Sequence, residues 1–595
     1  MDTNKRKRPS NESKASAWKE YTIMFPYYPS TLQEVLRNRH HIQHLTIYFL
    51  EDECLETLAS NLPTLPTQNN TRPNVTAPTK PRSTASTQPY ARLQKLEINE
   101  TLEIFEVFDS PDYAHQFLRV LPHFFNLVYL RMPYPMFLTS PSLRETFQTS
   151  LCTHLQKLEH LELSERSVSA KKTLPLMQAC LLHPQLRVLN LDFGMRNDGY
   201  SDKSCAPERL RRSYNEEEDE DEDEEEEVEE DENDSDHEDY NDENIGSKFA
   251  STLESLGAAS RSMGSFKSKI TTFMLPVYEP GYPISFLIPL LRDHVPNIEN
   301  LETSEIKNDT QMDIKDAIGG PIPRLQHITC PTSPSDMAII KELIISCSQG
   351  LKTIQANDFE DDGHSSEPQH FVDTLIEHHS GNLEKIRFER CVAIKGEDIW
   401  KILTKCAKLE RFWIEPAFKR KVSIDFDDIL SHPWACHNLK ELRLVLNPGN
   451  NAGNSESVGG LPPRSVARRV YAQIGQLVKL ERLGLGWYED EDADVRSKNF
   501  IMDLTLSQGW LSELAGLVEL RYLILARIYW RAMGQAEIEF MDANWPHLEM
   551  IVIELDFAID VFGAMDRHSR LPHWAWLQKR RPNLKYEYYV PSSRR

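Results

Sequence analysis

Apolar residues recur along this chain in one phrase: apolar, two variable residues, apolar, one variable residue, apolar. It begins at Ile42, Leu93, Leu127, Leu158 and Leu186. It resumes at Ile298, Leu325, Leu351, Leu383, Leu409, Leu439, Leu480, Leu520 and Leu548, and ends with a degenerate LKYEYY from Leu584. Alternation within each copy predicts a short strand with one buried side. Most copies follow a stretch with apolar residues at helical spacing, such as FVDTLIEHHSGN, EDIWKILTKCAK and AIIKELIISCSQ. Each such stretch predicts a helix closed by polar or glycine residues.

Two copies extend the phrase to its full form. Leu383, Ile386, Phe388 and Cys391 end it on Cys, and Leu439, Leu442, Leu444 and Asn447 end it on Asn. This is the leucine-rich-repeat pattern. Neither a helix nor a strand of this kind can bury its apolar side alone, whereas stacked neighbours share one core. The expected fold is therefore an α/β leucine-rich-repeat solenoid of about fifteen irregular helix–strand repeats, with a curved parallel sheet on its concave face. Spacings between copies run mostly from 26 to 41 residues, with longer gaps after Ile42 and after Leu186. Both gaps hold segments poor in apolar residues, which are expected to be disordered. The organisation is then a basic tail (1–17), an N-terminal arm (18–195) containing a loop at 62–91, an acidic insertion (196–269) that splits the solenoid, and a C-terminal arm (270–595). HWAWLQKRRP, with Trp574 and Trp576, is expected to close the end of the core. Further insertions follow the Leu351, Leu439 and Leu480 copies.

Charge sharpens this division. The net charge is -24, and residues 216–243 hold 22 acidic residues and no basic one, so the rest of the chain carries only -2. The acidity belongs to a tract rather than to the solenoid. Self-repulsion keeps such a tract extended and available to a basic partner. Ser235 within it stands in the context that acid-directed kinases favour, and phosphorylation would deepen the charge. Lys5, Arg6, Lys7 and Arg8 form a cluster of nuclear-import composition. Nine cysteines are scattered without a C-x-x-C pair. Cys152, Cys406 and Cys436 each stand three residues before a Leu, a spacing that suits small buried hydrophobes in a reducing nucleus or cytoplasm.

Sequence motifs for chemistry are missing. There is no phosphate-binding loop, dinucleotide fingerprint, H-E-x-x-H or G-x-S-x-G, and the twenty histidines are dispersed. The expectation is a non-enzymatic protein without cofactor or metal, engaging neither membrane nor nucleic acid directly. Function then falls to the concave face. In the C-terminal arm, the residues between apolar strand positions form two columns. One reads Lys385, Arg411, Glu441, Arg482, Tyr522 and Met550; the other reads Arg387, Trp413, Arg443, Gly484, Ile524 and Val552. Lys385, Arg387, Arg411, Trp413, Arg443, Arg482 and Tyr522 are the candidate partner-binding residues, since Arg and Trp dominate binding hot spots. The acidic tract could occupy this basic strip in cis until a partner displaces it.

The irregular phrase, the cysteines at 152, 406 and 436, and helices of the ILTKCAKLERFWI kind resemble the leucine-rich-repeat region of fungal F-box/leucine-rich-repeat proteins. WKEYTIMFPYYPSTLQEVLRNRHHIQHLTI is similar to the segment that joins the F-box to the first repeat in such proteins. The resemblance implies a target receptor of a cullin-type ubiquitin ligase, with the ligase adaptor as a further partner. The seventeen residues before Trp18 are basic and polar and contain no recognisable F-box. A partial likeness to acidic leucine-rich nuclear proteins implies the alternative: binding of histones or other basic proteins through the Asp/Glu tract.

Overall fold

The computed structural model describes residues 20–23, 42–48, 92–99, 111–133, 141–164, 170–191, 243–262, 267–275 and 282–303. Beyond these it describes 306–307, 309, 314–331, 337–357, 367–391, 394, 396–416, 432–445, 463–486, 504–507, 510–526, 533–554 and 572–589. The tail with Lys5–Arg8, the 62–91 loop, Ser235 and the acidic tract up to residue 242 lie outside this set.

Seventeen strands form one parallel sheet. In chain order they are β1 (Glu20–Ile23), β2 (His44–Tyr48), β3 (Lys95–Asn99), β4 (Tyr129–Pro133), β5 (His160–Ser164) and β6 (Val188–Asn190). β7 (Thr272–Met274), β8 (Asn300–Glu302), β9 (His327–Pro331), β10 (Thr353–Asn357), β11 (Lys385–Cys391) and β12 (Arg411–Pro416) follow. The last are β13 (Glu441–Val445), β14 (Arg482–Gly486), β15 (Tyr522–Ala526), β16 (Met550–Glu554) and β17 (Lys585–Tyr589). Each pairs with its predecessor in sequence, from Glu20↔His44 at one end to Glu554↔Tyr589 at the other. A parallel strand cannot be reached by a tight turn, and most of the described connections run as a helix. Described helices are α1 (Pro111–Val120), α2 (Pro141–His154), α3 (Ala170–Leu181), α4 (Glu243–Ser262), α5 (Ile284–Pro289) and α6 (Ile314–Ile318). They continue as α7 (Met337–Ser346), α8 (Glu367–His379), α9 (Gly396–Lys405), α10 (Pro463–Gly475), α11 (Gln535–Asn544) and α12 (Pro572–Arg580). From α1 to α9 consecutive helices pack on one another. Between β14 and β15 the described residues include a 3-10 turn, Leu511–Leu514.

The repeat phrase accounts for fifteen of the seventeen strands. β7 comes from ITTFML, which obeys the same phrase with Ile270, Phe273 and Leu275 buried. β1 has no first-Leu anchor and is held by pairing with β2. The 196–269 boundary is corrected, because Glu243–Ser262 is a helix. Its Phe249, Thr252 and Leu256 are buried one turn apart, and Phe249 packs against Tyr282 and Phe286. The division into two arms is corrected as well. β6 pairs directly with β7 (Val188↔Thr272, Leu189↔Phe273, Asn190↔Met274), so the insertion interrupts the chain and not the sheet.

Register is set by a recurrent edge contact. Two successive N–H groups converge on one carbonyl of the previous repeat. Glu384 and Lys385 donate to Lys352 O at 2.8 and 3.0 Å, Glu410 and Arg411 to Glu384 O at 2.8 and 3.0 Å, and Lys440 and Glu441 to Glu410 O at 2.7 and 3.0 Å. Just before, in most repeats the first apolar residue donates to the carbonyl three residues earlier, as Leu409 does to Cys406 O and Leu439 to Cys436 O, both at 3.1 Å. Cys406 and Cys436 are fully buried there, and burial pushes each thiol up to about 12. Cys152 departs from the expectation and is exposed, because Leu155 takes that turn position before Leu158.

The 3-10 turn between β14 and β15 packs through glycine. A Cβ on Gly475 would lie 1.9 Å from Glu513 O, and one on Gly516 would lie 2.7 Å from Gly475 O. The end of α10 and the Leu511–Leu514 turn therefore touch backbone to backbone, leaving a methyl group no room. Gly475→Ala is expected to cost at least about 1–3 kcal/mol, the usual range for overpacking. Urea denaturation checks this, and an unchanged midpoint would contradict it.

Trp574 and Leu577 of α12 are buried. Asp542 at the end of α11 receives Arg580 Nε at 2.6 Å and Arg581 Nε at 2.8 Å.

Candidate functional site

Strand pairing puts the predicted columns together residue by residue. Lys385, Arg411, Glu441, Arg482, Tyr522 and Met550 are consecutive lateral partners, and so are Arg387, Trp413, Arg443, Gly484, Ile524 and Val552. The alternate residues Ile386, Phe412, Leu442, Leu483, Leu523 and Ile551 are buried in the core beneath. All seven candidate residues thus share the face of the sheet away from the helices, on β11–β15.

Their roles on that face differ. Trp413 is only 9% exposed and Arg443 only 3%. The Trp413 ring has the Arg443 guanidinium at 4.7 Å and that of Arg387 at 5.5 Å, a cation–π arrangement. Arg443 lies flat because its lateral neighbour is Gly484, where a Cβ would meet Arg443 Cγ at 2.8 Å. Trp413 and Arg443 therefore form the floor of the surface. Its accessible part is Lys385, Arg387, Arg411, Arg482 and Tyr522, each half-buried or exposed.

The charges on this floor are incompletely matched. Arg387 pairs with Glu389, which also accepts from Gln355 Nε2 at 3.1 Å. Glu441 sits between Arg411 and Arg482, at 3.9 and 3.7 Å, beyond hydrogen-bond distance of either. The Arg482 guanidinium lies 4.3 Å from the centre of the Tyr522 ring. Lys385 makes no ion pair among the described residues. Its ammonium is pushed below its ordinary value by burial and then by Arg387 and Arg411, against a weaker opposing pull from Glu441 and Glu389. Among the described side chains the accessible cations Lys385, Arg387, Arg411 and Arg482 outnumber Glu389 and Glu441, and the excess is positive.

A second polar cluster lies on the same face of β2–β5. Glu162 accepts from His160 Nε2 at 2.7 Å and lies 3.7 Å from Arg131. The Tyr129 and His160 rings are 4.5 Å apart, Lys95 Nζ stands 4.9 Å from the Tyr129 centroid, and Glu97 takes Lys95 at 2.9 Å and Thr46 at 3.0 Å. Burial, then Glu162 and Glu97, raise the Tyr129 hydroxyl. Reading the same alternation on the first four copies (His44, Lys95, Tyr129, His160; Thr46, Glu97, Arg131, Glu162) would have found it. Here the opposite charges answer one another, so this cluster carries little net charge. Among the described residues no group of three His, Cys, Asp or Glu is placed to hold a metal ion, and no helix is long and apolar enough to cross a membrane.

Repeat, strand order and the all-parallel open sheet define a leucine-rich-repeat solenoid. No family model and no curated protein sequence matches the chain. Among solved structures it is similar to a chain of the yeast Rad7–Elc1 complex, at 12% identity over 48% of this chain and 69% of that one, with a TM-score of 0.29. It is also similar to a chain of the TLR13–ssRNA13 complex, at 13% identity over 88% of this chain, with a TM-score of 0.36. It spans 57% of that chain's length.

Proposed function

We propose that this protein recognises a protein partner without catalysis, through the cationic surface on β11–β14, as a target receptor of the F-box/leucine-rich-repeat kind that serves a ubiquitin ligase. The observation that carries the reading is the charge imbalance among the described side chains: Lys385, Arg387, Arg411 and Arg482 on β11, β12 and β14 against Glu389 and Glu441. Adjacent cations without full counter-ions favour an acidic partner and speed its encounter. A double charge reversal, Lys385→Glu with Arg411→Glu, is expected to reduce partner recovery at least tenfold in affinity purification with mass spectrometry, with the melting temperature retained. Both side chains are solvent-accessible and outside the core, so loss of fold is not the expected route. Recovery of cullin-ligase subunits beside the target would support the ligase role, and an identical partner list from both proteins would refute the surface. Affinity is also expected to fall as pH rises through the depressed value of Lys385, since the lysine loses its charge on the alkaline side earlier than an ordinary lysine does.

The acidic tract supports a second reading. Its 22 carboxylates suit histones or other basic nuclear proteins, with Lys5–Arg8 directing nuclear import and Ser235 adding charge when phosphorylated. Deleting 216–243 should then remove basic proteins from the purification and leave the β11–β14 partner in place.

A further inference from the structure

The face that carries the cations changes character abruptly after β14. Its outward residues are Lys385, Arg387 and Glu389 on β11, Arg411 and Trp413 on β12, Glu441 and Arg443 on β13, and Arg482 and Gly484 on β14. At the first two outward positions of β15 and β16 they become Tyr522, Ile524, Met550 and Val552. Trp413, Ile524 and Val552 form a buried apolar cluster separate from the main core, and Met550 packs against it. An apolar cluster on the side of a sheet opposite the helices does nothing for helix–sheet packing. Tyr522 and Met550 remain partly exposed above it. The surface is therefore a cationic half and an apolar half, joined through the cation–π contact between Arg482 and Tyr522 at 4.3 Å.

Resting on the reading above, we infer that the segment bound here is extended and bipartite: a short acidic stretch, with one large apolar side chain about five residues away that seats against Tyr522 and Met550. The spacing follows from the geometry. A ligand crossing the strands advances about 4.8 Å per strand, and from β12, the centre of the cations, to between β15 and β16 is about 17 Å. An extended chain at about 3.3 Å per residue covers that in about five residues. Two features tell against a polyanion as the occupant. Phosphates along a strand would need cations throughout, and the outward residues at the first two positions of β15 and β16 carry none. Trp413, the largest aromatic in the strip, is too buried for a base to stack on it.

The experiment uses the full chain and labelled twelve-residue peptides, each with an Asp-Glu-Asp stretch and one Leu set one to nine residues from it on either side, in a Gly/Ser background. Fluorescence polarisation should show an optimum near five residues, at least tenfold tighter than the acidic peptide without Leu. Met550→Ser and Tyr522→Ala should flatten that optimum, whereas Lys385→Glu with Arg411→Glu should abolish binding of every peptide. Equal affinity at all spacings would overturn the bipartite segment and leave acidic-partner recognition standing. No binding by any acidic peptide, with partner capture indifferent to the charge reversal, would remove both. Tighter binding of a single-stranded oligonucleotide than of any peptide would overturn the inference in favour of a nucleic-acid surface.

Discussion

Replacing Trp545 with alanine is expected to destabilise the C-terminal repeats by about 3–5 kcal/mol, the range for truncating a fully buried large aromatic residue. Trp545 follows α11 directly and is the largest fully buried side chain among the described residues. Its ring meets Phe540 edge-on at 5.9 Å, and its Nε1–H donates to Leu514 O at 3.1 Å in the preceding repeat. Its own carbonyl accepts from Arg581 Nη1 at 2.6 Å, from the chain just past α12. One residue thus joins three successive repeats, and truncation opens a cavity while leaving the buried Leu514 carbonyl without that donor. In a solenoid each repeat is stabilised by its neighbours alone, so the damage should stay local. Hydrogen exchange should show residues 535–589 losing protection while β2–β9 keep theirs. A uniform loss along the chain, or none, would contradict the assignment. Trp545→Phe, which keeps most of the volume and loses the hydrogen bond, should cost about 1 kcal/mol beyond the lost area.

The locality of that effect and the legibility of the fold have the same origin. Each repeat meets its neighbour in one register, because the first Leu fixes where the strand starts and two N–H groups then close on one carbonyl. Counting from Leu383, Leu409, Leu439, Leu480, Leu520 and Leu548 was therefore enough to place Lys385 beside Arg411 and Arg387 beside Trp413. What the phrase could not carry was anything decided by a neighbouring repeat. Trp413 reads as an exposed hot spot in its own strand, and becomes floor because Gly484, two strands away, lets Arg443 lie flat against it. Helix Glu243–Ser262 was hidden by its Ser, Gly and Ala content next to an acidic run, although Phe249, Leu253 and Leu256 keep helical spacing. Without it, ITTFML stood alone and β7 was passed over.

Two histidines show the same dependence on neighbours, and removing both is expected to cost about 2–6 kcal/mol, from about 1–3 kcal/mol at each independent site. In sequence, His183 and His379 are dispersed residues near helix ends. In the fold each bridges backbone groups that no helix or strand satisfies. His183 takes the N–H of Leu186 on Nδ1 at 3.1 Å and donates from Nε2 to Leu155 O at 3.1 Å, in the previous repeat. His379 takes the N–H of Leu351 on Nδ1 at 3.2 Å and donates from Nε2 to Ile344 O at 2.8 Å. A backbone N–H can only donate, so Nδ1 must accept and the ring must be the neutral Nε2–H tautomer. Protonation would place N–H against N–H. Burial lowers both rings below their ordinary 6.5, opposed only in part by the bonds to the Leu155 and Ile344 carbonyls. As pH falls through 6.5 the unfolded chain therefore takes up protons before the folded one does. The stability these residues contribute is complete above about pH 6.5 and is lost as pH falls toward their folded values. His123, His294, His327 and His573 are also lowered by burial and act in the same direction, so the wild-type slope alone does not isolate the pair. His183→Gln with His379→Gln keeps one donor and one acceptor at each bridge and does not titrate. Urea denaturation at pH 7.5 and 5.5 should show a smaller acid loss in the glutamine protein than in the wild type, and the corresponding alanine protein should be the least stable of the three at pH 7.5. Equal acid losses in the wild type and the glutamine protein would mean that the acid sensitivity lies elsewhere in the solenoid.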